Sequence, residues 1–404
     1  MSTIDLGLLL EAASPGGASC LTSVTELEPA GGGQASVAPA KFASSNQGDR
    51  KGAYAYERRY LDGAVQHAVL IDSKQSQLNR CEQALQQAIT DGHPVLSRLP
   101  RIVVTYTRDG EPAEYSDLTL PHRAFDGHIR AGTVDGQPVT KLDAYRAVRN
   151  ATPANARALL DVSPVSLIFG SWDSSRASHQ GRWRSALVGE IIGFCADDRT
   201  SMRGGARVDP VGMKIELGEV ALKELAASQR AELSGATYDK VVREAGKATG
   251  EKKVSASTMG LGGIPPTLEA LAGVACHRII RSHVLSFATL RQIRFGAGNE
   301  GDAACRALLA ALALDALARS DAELYLRANC DLVHKEGSAK RVQIDRGAER
   351  IEFEPLSIPA ADALLADALA EAERAAGAQW NGVVLHVTGN PNIAAGAVDE
   401  EQQS

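Results

Sequence analysis

Three segments carry residues whose types and spacing could do chemistry. The first is Asp72-Ser73-Lys74-Gln75-Ser76-Gln77-Leu78-Asn79-Arg80. It sits where a helix is expected to begin. Free backbone N–H groups and the helix dipole favour an anion at such an end. Ser73, Lys74, Ser76, Asn79 and Arg80 add side-chain donors, a set suited to phosphate oxygens rather than base edges. The second is Trp172-Asp173-Ser174-Ser175-Arg176 with Arg182, Trp183 and Arg184. Aromatics interleaved with arginines stack bases and grip phosphates. The third is the loop Lys252 to Gly263, which has no acid after Glu251. Each has an ordinary alternative: a capped, solvated helix, a tryptophan anchored in the core beside exposed arginines, and a plain loop.

Several enzyme signatures are excluded. Gly246-Lys247 is followed by Ala248, and Val241 stands where a phosphate loop needs glycine. Gly260-Leu261-Gly262-Gly263 runs into Ile264 and two prolines, which spoils a dinucleotide fingerprint. No HExxH or GxSxG is present. His122, Asp126 and His128 could gather a metal, but the alternation expected over 118–134 puts them on an ordinary strand surface. The six cysteines lie at least 25 residues apart, so no CxxC pair seeds a zinc or redox site. Scattered single cysteines fit a reducing cytoplasm, and a cytoplasmic location is the expectation.

The elements that must position these residues follow from periodicity. Ala64 to Ile71 reads as a buried strand ending at Asp72, which can cap the next helix with Gln75 completing a capping box. Leu78, Cys81, Leu85 and Ala88 form that helix's apolar stripe. Residues 100–107 and 118–134 read as strands, as does Val165 to Gly170. Arg182 to Phe194 reads as a buried helix. The opening predicts a short strand near Ile4 to Leu10, followed by a Gly/Ala/Ser/Pro-rich loop over 11–40. Val274 to Leu285 fits strand or helix. Ala303 to Ala318 predicts a helix, Leu324 to Val333 a strand, Ile358 to Ala376 an acidic helix and Val383 to Val387 a last strand. The apolar runs are too short or too interrupted to span a membrane. The irregular alternation favours an α+β sheet with insertions over a Rossmann or barrel fold.

Charge is unevenly spread. The net charge of −6 conceals residues 349–404, whose ten acids and two bases give −8 and leave +2 for the rest. Within that rest, Lys41 to Arg59 holds five bases against two acids, and His277 to Arg294 holds four arginines and no acid. Any nucleic-acid site must therefore be a local groove rather than a whole surface.

Taken in order, VLIDSKQSQLNR (69–80), LPHRAFDGHIR (120–130), LIFGSWDSSR (167–176) with RWRSALVGEIIG (182–193), and GLGGIPPTLEALAGV (260–274) with LSFATLRQIRF (285–295) resemble the backbone subunit of type I-G (formerly I-U) CRISPR Cascade surveillance complexes. That family is a branch of the RAMP superfamily in the Cas-seven group. The resemblance spans roughly residues 40–335. It implies an RRM-like (ferredoxin-like) palm over 1–404 with inserted elements: a loop-rich N-terminal stretch 11–62, a finger at 108–160, a thumb or mobile loop at 197–263, and an acidic C-terminal helix and last strand over 349–404. It further implies a non-catalytic subunit whose copies stack along a CRISPR RNA and present it for pairing with target DNA. The partners are further copies of itself, the large subunit and the RNA-end-capping RAMP subunit, with no membrane, metal or cofactor. The residues carried over as RNA-binding are Ser73, Lys74, Gln75, Ser76, Asn79, Arg80, Trp172, Arg176, His179, Arg182, Arg184, Lys252, Lys253 and Met259. Lys41 and Phe42 join them on charge and position.

Two other classes stay open. One is a RAMP-type endoribonuclease, metal-assisted through Asp72 or Asp173 or metal-free through His179. The other is a small-molecule enzyme or protein-interaction module.

Overall fold

The protein is described by a computed structural model covering residues 2–43, 53–108, 110–178, 180–199 and 201–397. The elements used below, in chain order, are α1 Leu6–Ala13, β1 Cys20–Pro29, β2 Tyr56–Leu61, β3 Ala64–Asp72, α2 Lys74–Thr90, β4 Arg101–Arg108, β5 Glu111–Ser116 and β6 Leu187–Cys195. They continue with α3 Glu219–Ser228, α4 Gly235–Ala245, β7 Cys276–Ser286, α5 Gly298–Ala322, β8 Leu332–His334, β9 Arg341–Arg346, β10 Glu349–Phe353, α6 Ile358–Ala376 and β11 Val383–Thr388. The chain is α+β.

The main sheet runs β10-β9-β1-β7-β6-β3-β2, and β8 also pairs with β1. Every pairing in it is antiparallel. Its strands alternate: along β7, Ile279, Arg281, His283 and Leu285 are buried while their neighbours are half-buried. Helices α2 and α5 cover the buried face. Arg281 marks the join, donating to Gln77 of α2 at 2.8 Å and to Asp321 of α5 at 2.5 Å. A second sheet places β5, β4 and β11 side by side, with β11 parallel to β4.

Helix α5 is the centre of the core, with every residue from Gly301 to Ala318 buried. Its alanines explain how a helix can be enclosed all round. Small side chains let backbones approach, and a Cβ on Gly301 would sit 2.7 Å from the Ala375 carbonyl of α6. Leucines such as Leu308 and Leu312 fill the remaining space, each worth roughly 2 kcal/mol on burial.

Residues Arg199–Gly273 form a compact unit of their own. It contains α3 and α4 around a small core of Leu222, Ala226, Val241, Ala245 and Ala256. Strands Met202–Arg207 and Ile264–Leu271 pair as a ribbon whose first strand is exposed throughout.

Several expectations are corrected. Ile4 to Leu10 is not a strand but the start of α1, capped by Asp5, whose carboxylate accepts from Leu8 N at 2.8 Å. The stretch read as loop-rich contains β1, a ten-residue strand. Its buried positions include Ser23 and Thr25, small polar residues that mask the alternation. Val165–Ile168 is a helical turn following Pro164. The expected helix Arg182 to Phe194 is a short strand, Arg182–Trp183, and then β6. Strand β6 alternates only in its first half and is buried without a break from Ile191 to Cys195, so its sequence carries no clean period of two. Leu324 to Val333 is mostly irregular before β8. Of the expected 118–134 strand only Thr133–Val134 is strand; before it comes a run of turns and a short helix, Gly127–Arg130. There Asp126 accepts from His122 N at 3.0 Å and His128 N at 2.9 Å. His122, Asp126 and His128 are thus a cap, not a strand face.

Candidate nucleic-acid interface

The start of α2 is built around a buried carboxylate. Asp72 is fully enclosed and does not cap the helix, which corrects the expected capping box. The cap is Ser73, whose hydroxyl accepts from Ser76 N at 3.3 Å. Asp72 accepts from Gln77 at 2.6 Å, Ser76 at 3.0 Å, Arg80 at 3.0 and 3.2 Å, and Arg327. Burial pushes its carboxyl up, but the Arg80 and Gln77 hydrogen bonds and the charges of Arg80 and Arg327 outweigh it and hold it below the usual range.

This arrangement divides the expected anion site. Arg80 is half-buried and occupied by Asp72 and the Tyr325 carbonyl. It therefore anchors the helix start. Lys74, Gln75 and Asn79 remain exposed, and Ser73 and Ser76 are half-buried. Lys41 and Phe42, distant in sequence, lie close by in space, because Ala40 N donates to the Ile71 carbonyl at 3.1 Å. Both side chains are exposed.

The second segment forms a hairpin, with Ser171 opposite Trp183 and Trp172 opposite Arg182. Strand alternation sends the two indoles apart. Trp183 is buried, whereas Trp172 is 46 % exposed. The Arg182 guanidinium lies over the Trp172 ring, 4.9 Å from its centroid. Arg184, just after that strand, is exposed. Among the described residues no acid pairs with Arg182 or Arg184. Gly170 starts the hairpin at φ +81°, and a Cβ there would meet the Trp183 carbonyl at 2.9 Å, so only glycine fits. Arg176 instead serves the loop, donating to the Arg149 carbonyl at 2.7 Å and Asn150 at 2.6 Å.

The main sheet brings the hairpin and the α2 start to one end. The hairpin feeds β6, whose Ile191 pairs with Asp72. On β6, hydrogen bonds from Arg59 lower the Glu190 carboxyl, helped by the charge of Lys74. Lys74 therefore lies within electrostatic reach of the strand entered from the hairpin. In the separate 199–273 unit, Lys252 and Lys253 are exposed, whereas Met259 packs against that unit's small core. His179 lies outside the described residues. Arg203 and Arg207, exposed on the ribbon, are basic residues the motif reading passed over. Their sequence signal is the basic stretch Arg176 to Arg207, which holds six bases against three acids.

The carboxylates needed by a metal-assisted nuclease are enclosed. Asp173 is buried and paired with Arg149 at 2.7 Å, and Asp72 is held as above.

Residues 21–198 match the family model for CRISPR-associated protein GSU0053. The match supports a CRISPR-associated protein. It takes in β1, the α2 start, the hairpin and β6, and it covers fewer than half of the 404 residues. No curated protein matches the chain. Among the described residues no helix is long and apolar enough to cross a membrane.

Proposed function

We propose that this chain is a non-catalytic CRISPR RNA-binding backbone subunit of a type I-G Cascade complex, whose copies line up along the guide and hold it for pairing with target DNA. The observation that carries the reading is the Trp172–Arg182 pair, an exposed ring under a guanidinium that no acid neutralises among the described residues. An exposed indole takes a base and free arginines take phosphate, without reading sequence. A subunit that must accept any guide needs that kind of surface. The family match over 21–198 supports the CRISPR setting.

The topology supports an RRM-like palm. Strands β9-β1-β7-β6 are adjacent and antiparallel, α2 falls between β1 and β6 in the chain, and α5 falls between β7 and β9. That is a βαββαβ connection with fourth, first, third and second strands side by side. The hairpin β2–β3 then extends the β6 edge. The proposed RNA-contacting set is Lys41, Phe42, Lys74, Gln75, Asn79, Trp172, Arg182 and Arg184. Lys252 and Lys253, exposed in the 199–273 unit, are proposed as RNA contacts of that unit by itself.

The test is co-purification. The wild-type chain is expected to carry ribonuclease-sensitive nucleic acid and to elute as multimers. A Trp172→Ala, Arg182→Ala, Arg184→Ala triple variant is expected to lose that nucleic acid while keeping its melting temperature. A wild-type chain that elutes as a nucleic-acid-free monomer and ignores unrelated RNAs overturns the reading.

A further inference from the structure

A cavity of about 250 Å³ lies beside β4 and β5, lined by none of the residues of the helix start or hairpin described above. Tyr106, Tyr115, Leu120, His128, Ile393 and Ala394 line it. Its volume falls short of the roughly 300–1,000 Å³ of sites that hold drug-sized molecules, so it suits a single small ring system. No Lys, Arg, Asp or Glu lines it, so a charged ligand would lose its hydration without compensation. The two tyrosine rings meet edge to face, 6.1 Å apart at 69°, and give the cavity an aromatic wall.

Among its lining groups, Tyr106 Oη and His128 Nδ1 form a hydrogen-bonded pair at 2.7 Å. In either histidine tautomer this pair keeps one donor and one acceptor free. If the phenol donates, His128 keeps its Nε2–H and Tyr106 keeps a lone pair. If Nδ1–H donates, the phenol O–H is free and Nε2 accepts. A nucleobase edge sets a donor beside an acceptor and complements such a pair. A phenyl ring offers neither, and an indole offers only a donor. Tyr106 is also fixed in place, because a Cβ on Gly389 would lie 2.4 Å from its ring. Arg130, on the same short helix as His128, bonds Ser175 in the hairpin loop that follows Trp172.

We propose that this cavity receives one unstacked nucleobase, its ring against the tyrosines and its edge on the Tyr106–His128 pair. The proposal deepens the nucleic-acid reading and rests on it for the source of the base. The cavity's class of ligand stands or falls separately.

The probe is 2-aminopurine riboside, whose fluorescence is quenched on stacking. The full chain is expected to quench it saturably at millimolar concentration, with uridine competing and indole failing to compete. Ala394→Trp, which fills the cavity, is expected to abolish quenching. Tyr106→Phe, which removes the hydroxyl without removing the ring, is expected to weaken it about tenfold, in line with loss of a buried hydrogen bond. No saturable quenching by the wild type, or equal competition by indole, overturns the proposal. A parallel titration with a long RNA separates the two ideas. RNA bound without riboside sinks the cavity alone, and riboside bound without RNA sinks the nucleic-acid reading alone.

Discussion

The guanidinium of Arg327 closes on the Asp72 carboxylate across 255 residues of chain. It also donates to the Ile71 carbonyl at 2.7 Å, so one side chain locks the end of β3 and the segment before β8 together. The α2 start can offer Lys74, Gln75 and Asn79 to solvent because this pairing, with Arg80, neutralises the acid beneath it. A bare carboxylate at that point would repel an RNA phosphate.

Arg327→Ala should therefore act on stability first. Removing one partner from a buried ion pair costs several kcal/mol, and Arg80 remains to share the charge, so a loss of about 3 kcal/mol is expected. Urea denaturation measures it. RNA affinity of the folded protein should hardly change. A variant of normal stability that has lost RNA binding would show Arg327 to be a ligand group instead.

Trp172 and Arg182 should separate by their salt dependence. Trp172→Ala removes a stacking platform worth about 1–3 kcal/mol and should leave the slope of affinity against salt unchanged. Arg182→Ala should weaken binding and flatten that slope by about 0.7, the share of one phosphate on a single strand. Filter binding at several salt concentrations distinguishes them. Identical slopes for both variants would place Arg182 on the ring only.

Lys74→Ala should lower affinity to the same degree for unrelated RNA sequences, since a lysine at a helix start meets phosphate and not base edges. The expected slope change is again about 0.7. A loss confined to one sequence would mean that the α2 start reads bases.

How far the chain could be read from its sequence depended on where each element's neighbours come from. Helix α2 was legible because Leu78, Cys81 and Leu85 recur on one face and lie in the core. The Trp172–Arg182 hairpin was legible as composition, since its aromatics and arginines are contiguous. Strand β6 was not, because Leu187, Ile191 and Phe194 are buried on both faces and a continuous apolar run fits helix as well as strand. The role of Asp72 was not legible either. Read locally it is a cap, and its decisive partner Arg327 lies in an irregular segment with no motif. Tyr106 and His128 likewise meet only through the tertiary fold.

Gly189 offers a test of the sheet face beneath α2 and α5. A Cβ there would lie 2.1 Å from the His283 ring, its cross-strand partner. Burial, aided by the Arg281 charge, lowers the His283 pKa to about 3, so a neutral ring fills the space that the glycine leaves. Gly189→Ala should cost about 1–3 kcal/mol, the range for overpacking. The double variant Gly189→Ala, His283→Ala should recover part of the loss. Absence of any recovery would mean that the strand itself, and not the ring, resists the methyl group.

Asp117 should make stability fall as pH rises. Its carboxyl is fully enclosed, with Oδ1 accepting from Ile102 N at 3.4 Å and Oδ2 without a hydrogen-bond partner. Burial pushes its pKa up to about 7, against a smaller lowering from Ser163 and the Ile102 amide. The folded state therefore holds this proton more tightly than the unfolded chain does. The stabilisation is complete below the ordinary value of 3.8 and is lost as pH climbs toward about 7. Within that window it removes at most about 1.4 kcal/mol per pH unit. Asp72, held below the usual range, has the opposite sign, so its contribution rises with pH as the unfolded chain's carboxyl ionises around its ordinary value. Asp117→Asn mimics the protonated acid at every pH. Melting curves from pH 4 to 8 should show the variant matching the wild type at the acid end and exceeding it at pH 8. A variant that tracks the wild type across the whole range would show that Asp117 folds as a carboxylate, with a partner supplied by rearrangement of the surrounding side chains.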